Sequence, residues 1–124
     1  MPAGLPQPAS ALDAALMKRF FEHRPAAKAA FEELRREAGT WGPCQVTSTP
    51  SRVAFLARTR FLWCHGAHVD GTITVGVLLP HPVESPRLRK GDLGSRWSHH
   101  VKFGALDDEL RGWFRDAYVW DVGT

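Results

Sequence analysis

Apolar side chains recur at two different spacings along these 124 residues, and the change of spacing divides the chain. Leu12, Leu16, Phe20 and Phe21 stand four or five apart behind Ser10, whose hydroxyl suits an N-cap, so a first helix is predicted to run to about His23. Pro25 has the fixed φ of a helical first turn. Beyond it Ala27, Ala30, Phe31 and Leu34 make one face, Glu32, Glu33, Arg35, Arg36 and Glu37 the other, and Gly39 supplies the stop.

After Gly42-Pro43 the spacing becomes extended. Cys44 to Thr47 reads as a short strand, Thr49 to Ser51 as a turn around Pro50, and RVAFLARTRFLWCHGAHV as two strand-like runs with a bend near Arg58 to Arg60. Asp70-Gly71 is the dipeptide of a type I′ hairpin and predicts antiparallel pairing between the strand ending near Val69 and Thr72 to Leu79. On that second strand Ile73, Val75, Val77 and Leu79 share one face, with Thr72, Thr74 and Gly76 on the other. Pro80 to Leu93, with three prolines and the cluster RLRK, reads as a long surface loop. Arg96 to Phe103 returns as a strand whose alternation puts Trp97, His99, Val101 and Phe103 on one face and Ser98, His100 and Lys102 on the opposite one. A last helix is signalled by Leu106, Leu110, Trp113, Phe114 and Ala117, with Asp107, Asp108 and Glu109 in its first turn, where the helix dipole favours negative charge.

The expected architecture is α+β, in the order α-α-β-β-β-β-α: an antiparallel sheet of about four strands, two N-terminal helices and one C-terminal helix. Residues 1–9, rich in proline, are expected to be a flexible lead-in, and residues 10–124 a single domain. The apolar and charged fractions, 44% and 23%, are those of an ordinary globular chain. The longest apolar runs are far shorter than the roughly 20 residues of a membrane span, and the N-terminus lacks the pattern of a signal peptide. A cytoplasmic location is expected, and two unpaired cysteines, Cys44 and Cys64, agree with it.

Charge sharpens the picture. The formal net charge is +3, but between Gln45 and Gly104 eight basic residues face three acidic ones, so the sheet region carries the positive charge. Arg52, Arg58, Arg60, Arg96 and Lys102, with RLRK, are placed to neutralise phosphates, and Trp63 or Trp97 to stack on bases. The bland alternative is a solvated sheet edge whose charges oppose aggregation. Cys64, His65, His68, His99 and His100 are numerous enough for zinc, but strand neighbours point to opposite faces, so no metal or cofactor is expected. Thiol catalysis is disfavoured by the apolar surroundings of both cysteines. A small anionic-ligand pocket built from Arg52, Thr72, Thr74 and His99 stays open beside an ordinary core margin. Within the pair His99-His100, His99 is read as a core or pocket group and His100, beside Lys102, as a solvent-facing anion contact.

The blocks STPSRVAFLARTRF, RWSHHVKF and LRGWFRDAY, in that order around a hairpin, resemble the bacterial domain of unknown function 5655 over about Phe31 to Tyr118. The resemblance implies an α+β domain found alone or fused to other modules; Arg52, Phe55, Phe61, His99 and His100 match its most recognisable blocks. Some longer relatives carry a transport label, to which this chain adds no membrane segment. No catalytic residue follows from the resemblance. The expected function is a non-enzymatic binding or interaction domain that presents Arg52, Arg58, Arg60, Trp63, His99, His100 and Lys102 to an anionic partner, a nucleic acid among them, or to a protein. The alternative is a small enzyme with a His/Arg pocket acting on nucleic acid or a small anionic substrate. Convergence of histidine and arginine in a pocket favours the enzyme, and their spread over a flat face favours the binding domain.

Overall fold

A computed structural model describes residues 4–90 and 98–123. Among them are three helices, α1 (Ala11–Phe20), α2 (Pro25–Ala38) and α3 (Asp108–Gly123). The strands are β1 (Gln7–Pro8), β2 (Gln45–Thr49), β3 (Arg52–Leu56), β4 (Arg60–Ala67), β5 (Ile73–Leu78), β6 (Arg89–Lys90) and β7 (Ser98–Phe103). They form one sheet of order β1-β2-β3-β4-β5-β7-β6, antiparallel except for the β1–β2 pairing. The α+β class and the helix order are those expected, but the sheet has seven strands, not about four.

Two of the additional strands are two-residue pairings that no alternation announces. β6 lies inside the segment read as a surface loop, with Arg89 opposite His100. β1 lies inside the expected lead-in, and its neighbours are held by Arg35 Nε, which donates to Pro6 O at 2.7 Å, and by Ala9 N, which donates to Val46 O. The bend expected near Arg58 to Arg60 is a full reversal between β3 and β4. Its backbone is held by the buried carboxylate of Asp121 on α3, which accepts from Arg58 N, Thr59 N and the Thr59 hydroxyl.

The hairpin between β4 and β5 is not of type I′, because Asp70 does not adopt the positive φ that turn requires. Gly71 alone does so there, at φ 89°, while Gly71 N donates to His68 O and His68 N to Thr72 O. This is the three-residue loop closed by a glycine in the left-handed region. Asp70 instead accepts from both the backbone N–H and the hydroxyl of Thr72, fixing where β5 begins.

Helices α2 and α3 cover one face of the sheet. Ala27, Ala30, Phe31, Leu34 and Ala38 of α2 and Leu110, Phe114, Ala117 and Tyr118 of α3 are buried with Val53, Phe55, Leu62, Cys64, Ile73, Val75, Val77, Val101 and Phe103. The i, i+3, i+4, i+7 spacing of those helical residues makes each stripe continuous, and each fully buried Phe or Leu contributes about 1.5–3 kcal/mol. Asp107 opens α3 by accepting from Leu110 N, and Glu33 of α2 accepts from Leu106 N at 2.7 Å, so the two helices are joined at that end.

Candidate ligand-binding face

The sheet face turned away from α2 and α3 carries one continuous row of facing residues. Thr47, Ala54, Trp63, Gly76, His100 and Arg89 stand directly opposite one another across β2, β3, β4, β5, β7 and β6. Cross-strand partners share a face and touch. The large indole of Trp63 is accommodated because its β5 partner is Gly76: a Cβ there would lie 2.3 Å from Trp63 Cε2. The His100 ring sits edge-on beyond it, with centroids 6.1 Å apart.

Two bulges in β4 shape this face. Phe55 pairs with Leu62 and Leu56 with Arg60, leaving Phe61 as the extra residue. Phe61 is thereby buried against Trp41 and Tyr118, and Arg60 is released to reach Thr47, donating from Nε to its hydroxyl at 3.1 Å. Farther on, Cys64 pairs with Val75 and Gly66 with Thr74, so His65 is extra. A bulge re-aims a side chain, and here it turns His65 toward β7. His65 Nε2 lies 3.0 Å from His100 Nδ1, with ring centroids 5.0 Å apart. Beside them His68 Nε2 lies 2.8 Å from the Thr74 hydroxyl.

Several cationic or ionisable nitrogen groups act on His65. Burial holds the pKa of His65 below the usual imidazole value, and His100, Arg52 and His68 push it the same way. Arg52, Arg60, Arg89 and Lys102 are exposed. Lys102 lies 3.9 Å from Asp70, and Arg87 is occupied by Asp107 and Glu109, each at 2.9 Å. Two shallow depressions flank the row. One of about 270 Å³ is lined by Thr74, Arg87, Arg89, His100 and Lys102, and one of about 630 Å³ by Asp13, Thr47, Thr49, Ser51, Arg52 and Arg60. Asp13 is committed to structure there: it accepts from Ser48 N and from the Ser10 hydroxyl, which hold its carboxyl below the usual carboxylate range.

Of the residues singled out from sequence, Arg52, Arg60, Trp63, His100 and Lys102 come together on this face. Arg58 does not: it sits in the β3–β4 reversal against Asp121. His99 points the other way, 1% exposed among the core residues, with Nε2 accepting from Val83 N at 3.1 Å. Arg96 and Trp97 lie outside the described residues. Among the described residues no group of three or more His, Cys, Asp or Glu side chains is placed to hold a metal ion. The thiols are unactivated, since burial pushes Cys44 up to about 11 and Cys64 up to about 12. The sequence reading missed the His65–His100 contact, because a strict period of two hides a bulge. An isolated glycine in a strand, here Gly66, is the signal that could have exposed it.

This is a small α+β domain whose sheet is covered by two helices on one side and lined by aromatic, imidazole and guanidinium groups on the other. The chain belongs to the family described as Domain of unknown function (DUF5655), whose model matches residues 17–120. No curated protein and no solved structure matches it. Among the described residues no helix is long and apolar enough to cross a membrane.

Proposed function

We propose that this domain binds an anionic partner, single-stranded nucleic acid foremost, on the sheet face opposite α2 and α3. One observation carries the reading: an indole seated over a glycine at the middle of a sheet face, ringed by the exposed cations Arg52, Arg60, Arg89 and Lys102. Open sheet faces that bind single strands use this combination, aromatic rings for bases and basic side chains for the backbone, and each stacked base contributes about 1–3 kcal/mol. The histidines and arginines are spread along a row of strands, beside open depressions of about 270 and 630 Å³, an arrangement that favours binding over a catalytic pocket. The face also presents hydroxyls, at Thr47, Thr49 and Thr74, which suit phosphate and sugar contacts.

The test is fluorescence anisotropy of a labelled oligothymidylate at low salt. Wild-type protein binds, and Trp63→Ala weakens binding by about tenfold or more, the loss of one stacked base. Binding that survives Trp63→Ala unchanged would remove the stacking role, and absence of binding at low salt would remove the nucleic-acid partner. Strand cleavage in the same mixture would instead support the enzyme reading, with the His65–His100 contact as its proton-transfer pair.

A further inference from the structure

We propose that the His65–His100 pair is a proton-linked phosphate seat: a phosphate of the bound strand replaces the imidazole–imidazole hydrogen bond, and a proton is taken up from solvent with it. This rests on the reading above, that the face holds a nucleic-acid strand.

At 3.0 Å, His65 Nε2 and His100 Nδ1 share a single proton, one ring donating and the other accepting. A phosphate oxygen offers only lone pairs. To bind both nitrogens it requires a proton on each; the accepting ring can present its own by changing tautomer, but an anion at this distance favours the imidazolium, so a second proton is taken up with it. In the free protein burial and neighbouring cations resist that proton. Arg52 of β3, His68 at the end of β4, Lys102 of β7 and Arg89 of β6, opposite His100, are all positive or able to become so, while Trp63 and Thr74 bring no charge. Arg87 lines the same depression as His100, with its charge already met by Asp107 and Glu109. Of the acids on this side, Asp70 is held by Thr72 and lies 3.9 Å from Lys102, and Asp13, in the depression with Arg52 and Arg60, is held by the Ser10 hydroxyl and Ser48 N. The same surroundings that oppose a second proton in the empty site attract the anion that would accompany it.

Position supports the assignment. The His100 ring is 6.1 Å from that of Trp63 and 5.0 Å from that of His65, so a base on the indole and a phosphate on the imidazoles fall within one nucleotide. The bulge that delivers His65 to this place gives β4 an extra residue between Cys64, opposite Val75, and Gly66, opposite Thr74.

The experiment measures the affinity of an oligothymidylate for the full chain between pH 8 and pH 6 at constant ionic strength. The wild type and the double variant His65→Gln, His100→Gln are compared. The wild type is expected to bind roughly tenfold more tightly at pH 6 than at pH 8, and the double variant to show less than about a twofold change, because one linked proton moves affinity up to tenfold per pH unit. Both side chains lie outside the core, and a thermal melt establishes that the variant folds. A flat wild-type profile, or an equal slope in the variant, overturns the proton-linked seat while leaving strand binding intact. Absence of binding at every pH overturns both.

Discussion

Gly76 has no side chain because Trp63 occupies the space one would need. Replacing it with valine places a Cβ 2.3 Å from the indole and forces Trp63 out of its seat. A cost of about 1–3 kcal/mol is expected, the usual penalty for overpacking, seen as a melting temperature several degrees lower and a shift in tryptophan emission. An unchanged melt would mean that the indole has somewhere else to lie. His65 makes a prediction in pH. Its folded-state pKa lies below the unfolded value of 6.5, so protonation favours the unfolded chain. The stability it contributes is present above about pH 6.5 and is lost as pH falls from there through the folded value. In melts between pH 7.5 and 5.5, His65→Gln is expected to flatten the decline, and a steeper decline would contradict the assignment. With an oligonucleotide bound the sign reverses, since the anion favours the charged ring. At this scale the sequence was informative about which residues carry charge and stacking surface, and Arg52, Trp63, His100 and Lys102 lie together on one face. It was silent on the partner of His100.

At the scale of elements, the periodicities were legible where burial enforces them. The stripe of α2, the stripe of α3 and the alternation of β5 are one-sided because one side meets the core, and each is where the spacing placed it. The features that escaped are those that local spacing does not encode. β1 and β6 are stabilised by partners distant in sequence, and the β4 bulges insert residues that reset the alternation. The β3–β4 reversal belongs to the same group, since its keystone, Asp121, stands 62 positions beyond Thr59. Asp121→Ala strips two backbone N–H groups and one hydroxyl of a charged acceptor. An expected loss of about 2–3 kcal/mol is measurable by urea denaturation. A loss below about 0.5 kcal/mol would show that water satisfies the turn equally well. Because that turn is apart from the Trp63 row, Arg58→Ala is expected to leave oligonucleotide affinity within about twofold of wild type, as a cation far from the bound phosphates should.

At the scale of the whole molecule, the helices do one thing and the open face another. Two amphipathic helices bury one side of the sheet, and the exposed cations Arg52, Arg60, Arg89 and Lys102 stand on its strands. Composition and order of elements gave the α+β class, and the family match over residues 17–120 agrees with the blocks that suggested it. The number of strands and the identity of the histidine pair depend on long-range register, which spacing along a single chain does not specify.

The most direct test of the account is the salt dependence of oligothymidylate binding, with Arg52→Ala, Lys102→Ala and Arg58→Ala measured beside the wild type. With about three or four phosphates neutralised, the affinity should fall roughly thirtyfold between 50 mM and 200 mM salt. The Arg52→Ala and Lys102→Ala slopes should each be shallower by about 0.7, with the Arg58→Ala slope unchanged. Equal slopes in all four proteins, or an affinity indifferent to salt, would contradict the claim that the Trp63 face is where this domain meets an anionic strand.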